Sequence, residues 1–212
     1  MFPWSYDFDA RKVLLHDDFS ASLKMEEYAK EAYETTLACT PRLAEDSEKE
    51  ARRREISWLN IRWFMMTLLN RMDRTSMYSG LEARVPFADH RILQYVYNVP
   101  WEMKCHNGQT KSLLIDAGTG LLPTAVLNRK KSPYPKTYDP AYEKMLAERL
   151  YELVHEVNSP LTGIVDSKKL DHFLTTPSDY GKPWYGQLMA GPQMLAYLLQ
   201  VGYWIQTYSI SL

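Results

Sequence analysis

Two stretches hold residue types at spacings that can do chemistry. The first is Leu81-Glu82-Ala83-Arg84-Val85, where a carboxylate and a guanidinium stand two residues apart. On an extended backbone that spacing sends Glu82 and Arg84 to one side, and Leu81, Ala83 and Val85 to the other. Glu82 can then serve as a proton acceptor in a cleft, with Arg84 fixing the loop that carries it. The same spacing also suits a plain ion pair tying the loop to a neighbouring helix. The second stretch is Asn128-Arg129-Lys130-Lys131-Ser132-Pro133-Tyr134-Pro135-Lys136-Thr137. Its prolines make a stiff, non-helical loop, and its crowded cations repel one another unless an anion sits among them. Phosphate or pyrophosphate is the natural guest, held by lysines as point charges. A solvated basic loop is the alternative. Lys111, in GQTKSLLIDA, falls in the first turn of an expected helix, where a cation opposes the helix dipole and calls for an anionic partner.

The surrounding pattern says which elements must position these groups. Ser47-Glu48-Lys49-Glu50 is a capping box, and it opens a helix running to about Met77. The second half of that helix is nearly all apolar (Trp58, Leu59, Trp63, Phe64, Met66, Leu69), so it reads as a central, buried helix. Ser79-Gly80 breaks it, and Asp89 opens the next helix, to Asn98, with Ile92, Leu93, Val96 and Tyr97 inward. Asp73 and Arg74 read as an ion pair across the bend. Upstream, a helix is expected from Ser20 or Ser22 to about Cys39, ended by Thr40-Pro41. Residues 1–19 read as an aperiodic docking segment.

Downstream, Asn107-Gly108 is a turn, and Thr110–Ala117 and Pro123–Asn128 are short helices. Asp139-Pro140 starts a helix to about Val157. Asp166–Leu174 is another short helix. A last apolar helix runs from Pro183 to about Tyr208, kinked at Gly191-Pro192. No alternating strands or internal repeats occur. The fold class is mainly α, in one helical domain over residues 1–212.

Composition excludes several classes. Apolar content of 45% with 24% charged residues is that of an ordinary globular chain. No uninterrupted apolar run is long enough to span a bilayer, and the N-terminus lacks the pattern of a signal peptide. Two cysteines without metal spacing, Cys39 and Cys105, fit a reducing cytoplasm. The five histidines show no ligand spacing, so no metal site is assigned. Charge is uneven: residues 51–136 hold 14 Lys/Arg against 6 Asp/Glu, whereas residues 1–50 hold 6 against 12. A basic middle suits an anionic ligand. Nucleic acid fits less well, because no run of stacking aromatics interleaves the cations. The nine glycines form neither GxGxxG nor GxxxxGK[ST], so the chain carries no complete nucleotide cradle.

Taken together, NRMDRTSMYSGLEARVPFADHRI and the later LLPTAVLNRKKSPYPK resemble the C-terminal part of the synthetase domain of glutamine-hydrolysing asparagine synthetases. The resemblance is strong from about Ile56 to Lys136, with Lys111 where that family has a Lys-x-x-Leu-Arg pattern. It implies the helical C-terminal portion of an adenine-nucleotide α-hydrolase-like (PP-loop) domain, without its nucleotide-binding sheet. It also implies activation of aspartate by ATP and Mg²⁺ as a β-aspartyl adenylate, which glutamine-derived ammonia converts to asparagine, AMP and pyrophosphate. Glu82 matches the family's proton acceptor and Lys131 the lysine that steadies phosphate charge. Arg84, Arg129, Lys130 and Lys111 then support substrate and phosphate.

Departures from the family pattern accompany the matches. The Ser-Gly-Gly-x-Asp-Ser loop and the acidic metal loop are absent, residue 2 is Phe2 instead of the glutaminase cysteine, and Ile115 and Ala88 replace arginine and leucine. The implied partners are therefore an N-terminal synthetase half and a glutaminase domain, and the chain alone is expected to be inactive. An apolar face left open for them could also drive homodimerisation. The alternatives are a β-lactam synthetase-like adenylating enzyme and a non-catalytic helical interaction module.

Overall fold

The computed structural model describes residues 8–130, 139–176 and 191–211. They are helical, and the only β pairing among them is an isolated bridge between Leu15 and Val165. The chain divides into two compact units, where the sequence reading drew one domain. One unit comprises Met1–Tyr33 with Tyr134–Leu212, and the other Glu34–Pro133.

The first unit contains α1 (Phe8–Lys12), α2 (Asp17–Ser22), the start of α3 (Met25–Ala38), α10 (Pro140–His155), α11 (Ser167–Thr175) and α12 (Gly191–Tyr208). Its core is built on α10 against α12, with α11 packed on α10. Buried residues on α12 fall at Met194, Leu195, Leu198, Gly202 and Ile205, the three-and-four spacing of one helix face. Leu14, Leu150, Leu161 and Leu170 complete the centre. Gly202 permits the close approach: a Cβ there would lie 2.8 Å from Leu153 Cδ2 on α10.

Asp139 caps α10 by accepting the Ala141 N–H at 3.0 Å, and Pro140 sits where its missing N–H costs nothing. Asp166 caps α11 through the N–H groups of Lys168 and Lys169.

Two expectations change in this unit. Residues 1–19 hold two helix starts, and Leu14 is pinned in the core by the bridge, with Asp166 N–H donating to the Leu14 carbonyl at 2.9 Å. The expected helix from Ser20 or Ser22 is two helices, because Lys24 adopts φ +43° and ends α2 before α3 begins at Met25. The described part of α12 begins at Gly191, and Pro183 to Ala190, the stretch on the other side of the expected kink, fall outside the described residues.

The second unit is organised on a long rod. It starts as α4 (Glu48–Leu59), widens into a π-helical turn at Asn60–Met65, and continues as α5 (Met66–Tyr78). The capping box forms as read, with Glu50 N–H donating to Ser47 Oγ and Ser47 N–H to Glu50 Oε2. Trp63 Nε1 donates to Thr36 on α3 at 3.0 Å. Arg54 reaches Asp46 at 2.8 Å and Asn98 at 3.1 Å, tying the rod to α6 (His90–Asn98).

The expectation of a buried central helix is corrected here. Leu59 is the only buried residue of the rod, and Phe64, Met66, Met72 and Met77 are exposed. Their neighbours α3 and α6 meet the rod at Trp63 and Arg54, which leaves the apolar remainder of α5 without a covering layer among the described residues. No ion pair joins Asp73 and Arg74 among those residues either.

Shorter elements follow in this unit: 3₁₀ turns at Pro86–Ala88 and His106–Gly108, and the helices α7 (Trp101–Lys104), α8 (Ser112–Gly118) and α9 (Thr124–Leu127). No described helix is long and apolar enough to cross a membrane. Cys39 and Cys105 are free thiols.

Candidate active site

The loop carrying Glu82 is fixed at both ends by backbone chemistry. At its start α5 closes in a Schellman motif: Gly80, at φ +69°, donates its N–H to the Met77 carbonyl, and Leu81 N–H reaches the Ser76 carbonyl, both at 2.9 Å. Glycine takes that left-handed position without a Cβ clash, so the break at Ser79-Gly80 was readable from the residues. At its end, Pro86–Ala88 form a single 3₁₀ turn and Asp89 caps α6, accepting the Arg91 N–H at 2.8 Å.

Asp89 is held from two sides. Arg91 donates to it through Nε at 3.0 Å and Nη2 at 2.7 Å. The guanidinium bonds of Arg91, followed by its backbone N–H, lower the Asp89 pKa from an ordinary 3.8 to about 2. A carboxylate with a depressed folded pKa lends stability that is whole above its unfolded value and is lost as pH falls through the folded one. The cap should therefore stay intact down to about pH 4 and fail towards about pH 2. An NMR titration of the Asp89 carboxyl carbon checks this. In Arg91→Ala its midpoint should move back towards 3.8, and an unmoved midpoint would remove Arg91 as the cause.

Between these anchors Glu82 and Arg84 point to one side, as the spacing required, and Arg84 Nη2 lies 3.1 Å from Glu82 Oε2. Among the described residues the pair closes on itself within the loop and ties it to no neighbouring helix. Its side chains are 66% and 83% exposed, so the bond contributes at most about 1 kcal/mol. Leu81, Ala83 and Val85 are exposed as well. Glu82 is thus presented on a fixed loop beside a weakly held partner.

The cations are distributed over three places. Arg129 and Lys130 follow α9, where Arg129 N–H turns back to the Val126 carbonyl at 3.2 Å. Both are exposed. Lys131, with the rest of the basic loop to Lys136, lies outside the described residues. Lys111 does not sit in the first turn of α8. It precedes the helix at φ +62°, ψ +26°, where the N-cap residue of a helix is normally extended. For a lysine the left-handed region costs roughly 1 kcal/mol. No described carboxylate pairs with Lys111, Arg129 or Lys130. Exposed cations without carboxylate partners fit a polyphosphate. Among the described residues no three His, Cys, Asp or Glu side chains gather as a metal site.

One residue was passed over in the sequence. Ser112 is fully buried, accepts the His106 N–H and donates to the Met103 carbonyl, each at 3.0 Å. No spacing marks it, since both partners are backbone groups.

Comparison with known proteins identifies the family. The sequence pattern of the family described as asparagine synthase matches residues 2–206. The chain is 45% identical, over all 212 residues, to asparagine synthetase [glutamine-hydrolyzing] 3 of Bacillus subtilis, and covers 34% of that protein. Over 73 residues it is 41% identical to the B. subtilis asparagine synthetase [glutamine-hydrolyzing] 1, and over 67 residues 42% identical to the human asparagine synthetase [glutamine-hydrolyzing]. Those two matches cover 34% and 30% of this chain, and 12% of each relative. The chain thus spans about a third of the length of the B. subtilis relative it matches from end to end. With that family match over residues 2–206, the chain belongs to the asparagine synthase family.

Proposed function

We propose that this chain supplies the helical wall of an asparagine synthetase active site. The reaction is ATP-dependent activation of aspartate as its β-aspartyl adenylate, followed by attack of glutamine-derived ammonia to give asparagine, AMP and pyrophosphate. The observation that carries the reading is the 45% identity to the B. subtilis enzyme along the whole chain.

Glu82 takes the proton. Attacking ammonia becomes a cationic amine that must lose a proton before the tetrahedral species collapses, and a carboxylate on a fixed loop is suited to receive it. Arg84 steadies Glu82 until substrate arrives. Lys131, with Arg129, Lys130 and Lys111 in support, offsets charge on the phosphates. Mg²⁺ supplies charge neutralisation for ATP; its ligands, the PP-loop and the glutaminase domain belong to the segments that the relatives carry. Those segments also cover the exposed apolar side of α5, and the working enzyme is cytoplasmic. The isolated chain has no turnover of its own.

The test is mass spectrometry of products from the chain combined with those segments, aspartate, ATP, Mg²⁺ and ammonia. Asparagine, AMP and pyrophosphate should appear together, and omission of this chain should remove all three. A mixture that forms no AMP from aspartate overturns the reading.

A further inference from the structure

We infer that Ser112 is a positioning residue for ATP binding, acting through the backbone of Lys111. The inference rests on the phosphate-binding reading of Lys111 given above.

The connection between Cys105 and α8 makes its turns with three left-handed residues, Asn107 (φ +52°), Gly108 (φ +72°) and Lys111 (φ +62°). Asparagine and glycine are the types that accept this conformation, and lysine is not. Elsewhere in the chain Lys24 also adopts positive φ, but there it closes α2, which is the common use of such a residue. Lys111 closes no helix. It stands before α8, and its carbonyl already accepts the N–H groups of Leu114 and Ile115 at 3.0 Å. Strained non-glycine residues of this kind persist where the surroundings over-determine them, and they cluster at functional sites.

Ser112 provides the over-determination. Its hydroxyl spends both capacities on backbone, accepting from His106 N–H and donating to the Met103 carbonyl, with none of the residue exposed to solvent. The side chain of residue 112 is thereby locked inward between α7 and the 3₁₀ turn. Lys111, one residue earlier, is left exposed, with no described carboxylate to neutralise it. The ligand contact belongs to the ammonium group, and the chemistry it recognises is a phosphate of ATP.

The complete synthetase, this chain with the segments its relatives carry, allows a double-mutant cycle on KM. Lys111→Ala should raise KM for ATP by about tenfold, the loss of one charge-assisted contact, with KM for aspartate held. Ser112→Ala should raise KM for ATP several-fold, and should raise it no further in the Lys111→Ala background. A residue that only stabilises the fold would lower the yield of active enzyme and leave that dependence on Lys111 absent. Should Ser112→Ala not accumulate as folded enzyme, Ser112→Cys, which keeps the shape and a weak donor, is read by the same cycle. Additive effects, or an unchanged KM in the Ser112 variants beside a raised one in Lys111→Ala, overturn the positioning role alone. An unchanged KM for ATP in Lys111→Ala overturns the phosphate reading beneath it, and a change confined to aspartate does the same.

Discussion

Glu82→Gln in the complete synthetase should cut asparagine formation by about 10²- to 10⁴-fold, the range over which a positioned proton acceptor acts. The substitution keeps shape and hydrogen-bonding capacity and removes the base. Pyrophosphate release from ATP and aspartate should persist, because activation precedes the attack of ammonia. Geometry makes the experiment clean. The loop is held by the Schellman closure at Gly80 and the Asp89 cap, and neither uses the Glu82 side chain. Among the described residues its partner is Arg84 at 3.1 Å, a solvent-exposed bond whose loss disturbs little. Quantifying asparagine and pyrophosphate in one reaction separates the two steps. Equal loss of both would assign Glu82 to the first step, and retention of asparagine would remove it from the chemistry.

Leu150→Ala should have the largest effect on stability. Leu150 is fully buried on α10 at the centre of the cluster that includes Leu161, Leu170, Leu195 and Leu198. Removing a leucine side chain from such a site costs the transfer energy of the lost carbons and that of the cavity left behind, about 3 kcal/mol together. For a chain of this size that lowers Tm by roughly 6–12 °C. Val157, 97% exposed, supplies the control, and its alanine variant should stay within about 0.5 kcal/mol. Thermal unfolding followed by circular dichroism reads both. A Leu150→Ala shift no larger than that of Val157→Ala would mean the cluster is not the stabilising core.

What the sequence made legible was local. Ser47 and Glu50, Gly80, Asp89, and Asp139 with Pro140 each act within a few residues of chain, and each ended or began a helix where read. The site loop was legible for the same reason, since the two-residue spacing of Glu82 and Arg84 is a property of extended backbone. Burial was not. Phe64 and Met66 are as apolar as Leu150 and Leu195, yet the first pair is exposed and the second buried, because burial is decided by what packs alongside. Lys111 escaped for a related reason: its backbone is set by hydrogen bonds of Ser112 to the turn before it, and a propensity-based helix start is overridden.

The wide turn at Asn60–Met65 has a directional consequence. A π turn takes up more residues than the α turn it replaces, and one residue of α-helix corresponds to about 100° of rotation. The N–H of Met66 reaches back five residues to Ile61, so α5 leaves that turn rotated from the azimuth of α4 by about a quarter of a circle per added residue. The Glu82 loop is mounted on the far end of this axle. A single deletion within Asn60–Met65 that restores α geometry would keep the Glu82 side chain and re-aim it relative to α4. The chain therefore stores the heading of the Glu82 loop in a count of residues far from that loop, where length matters more than identity.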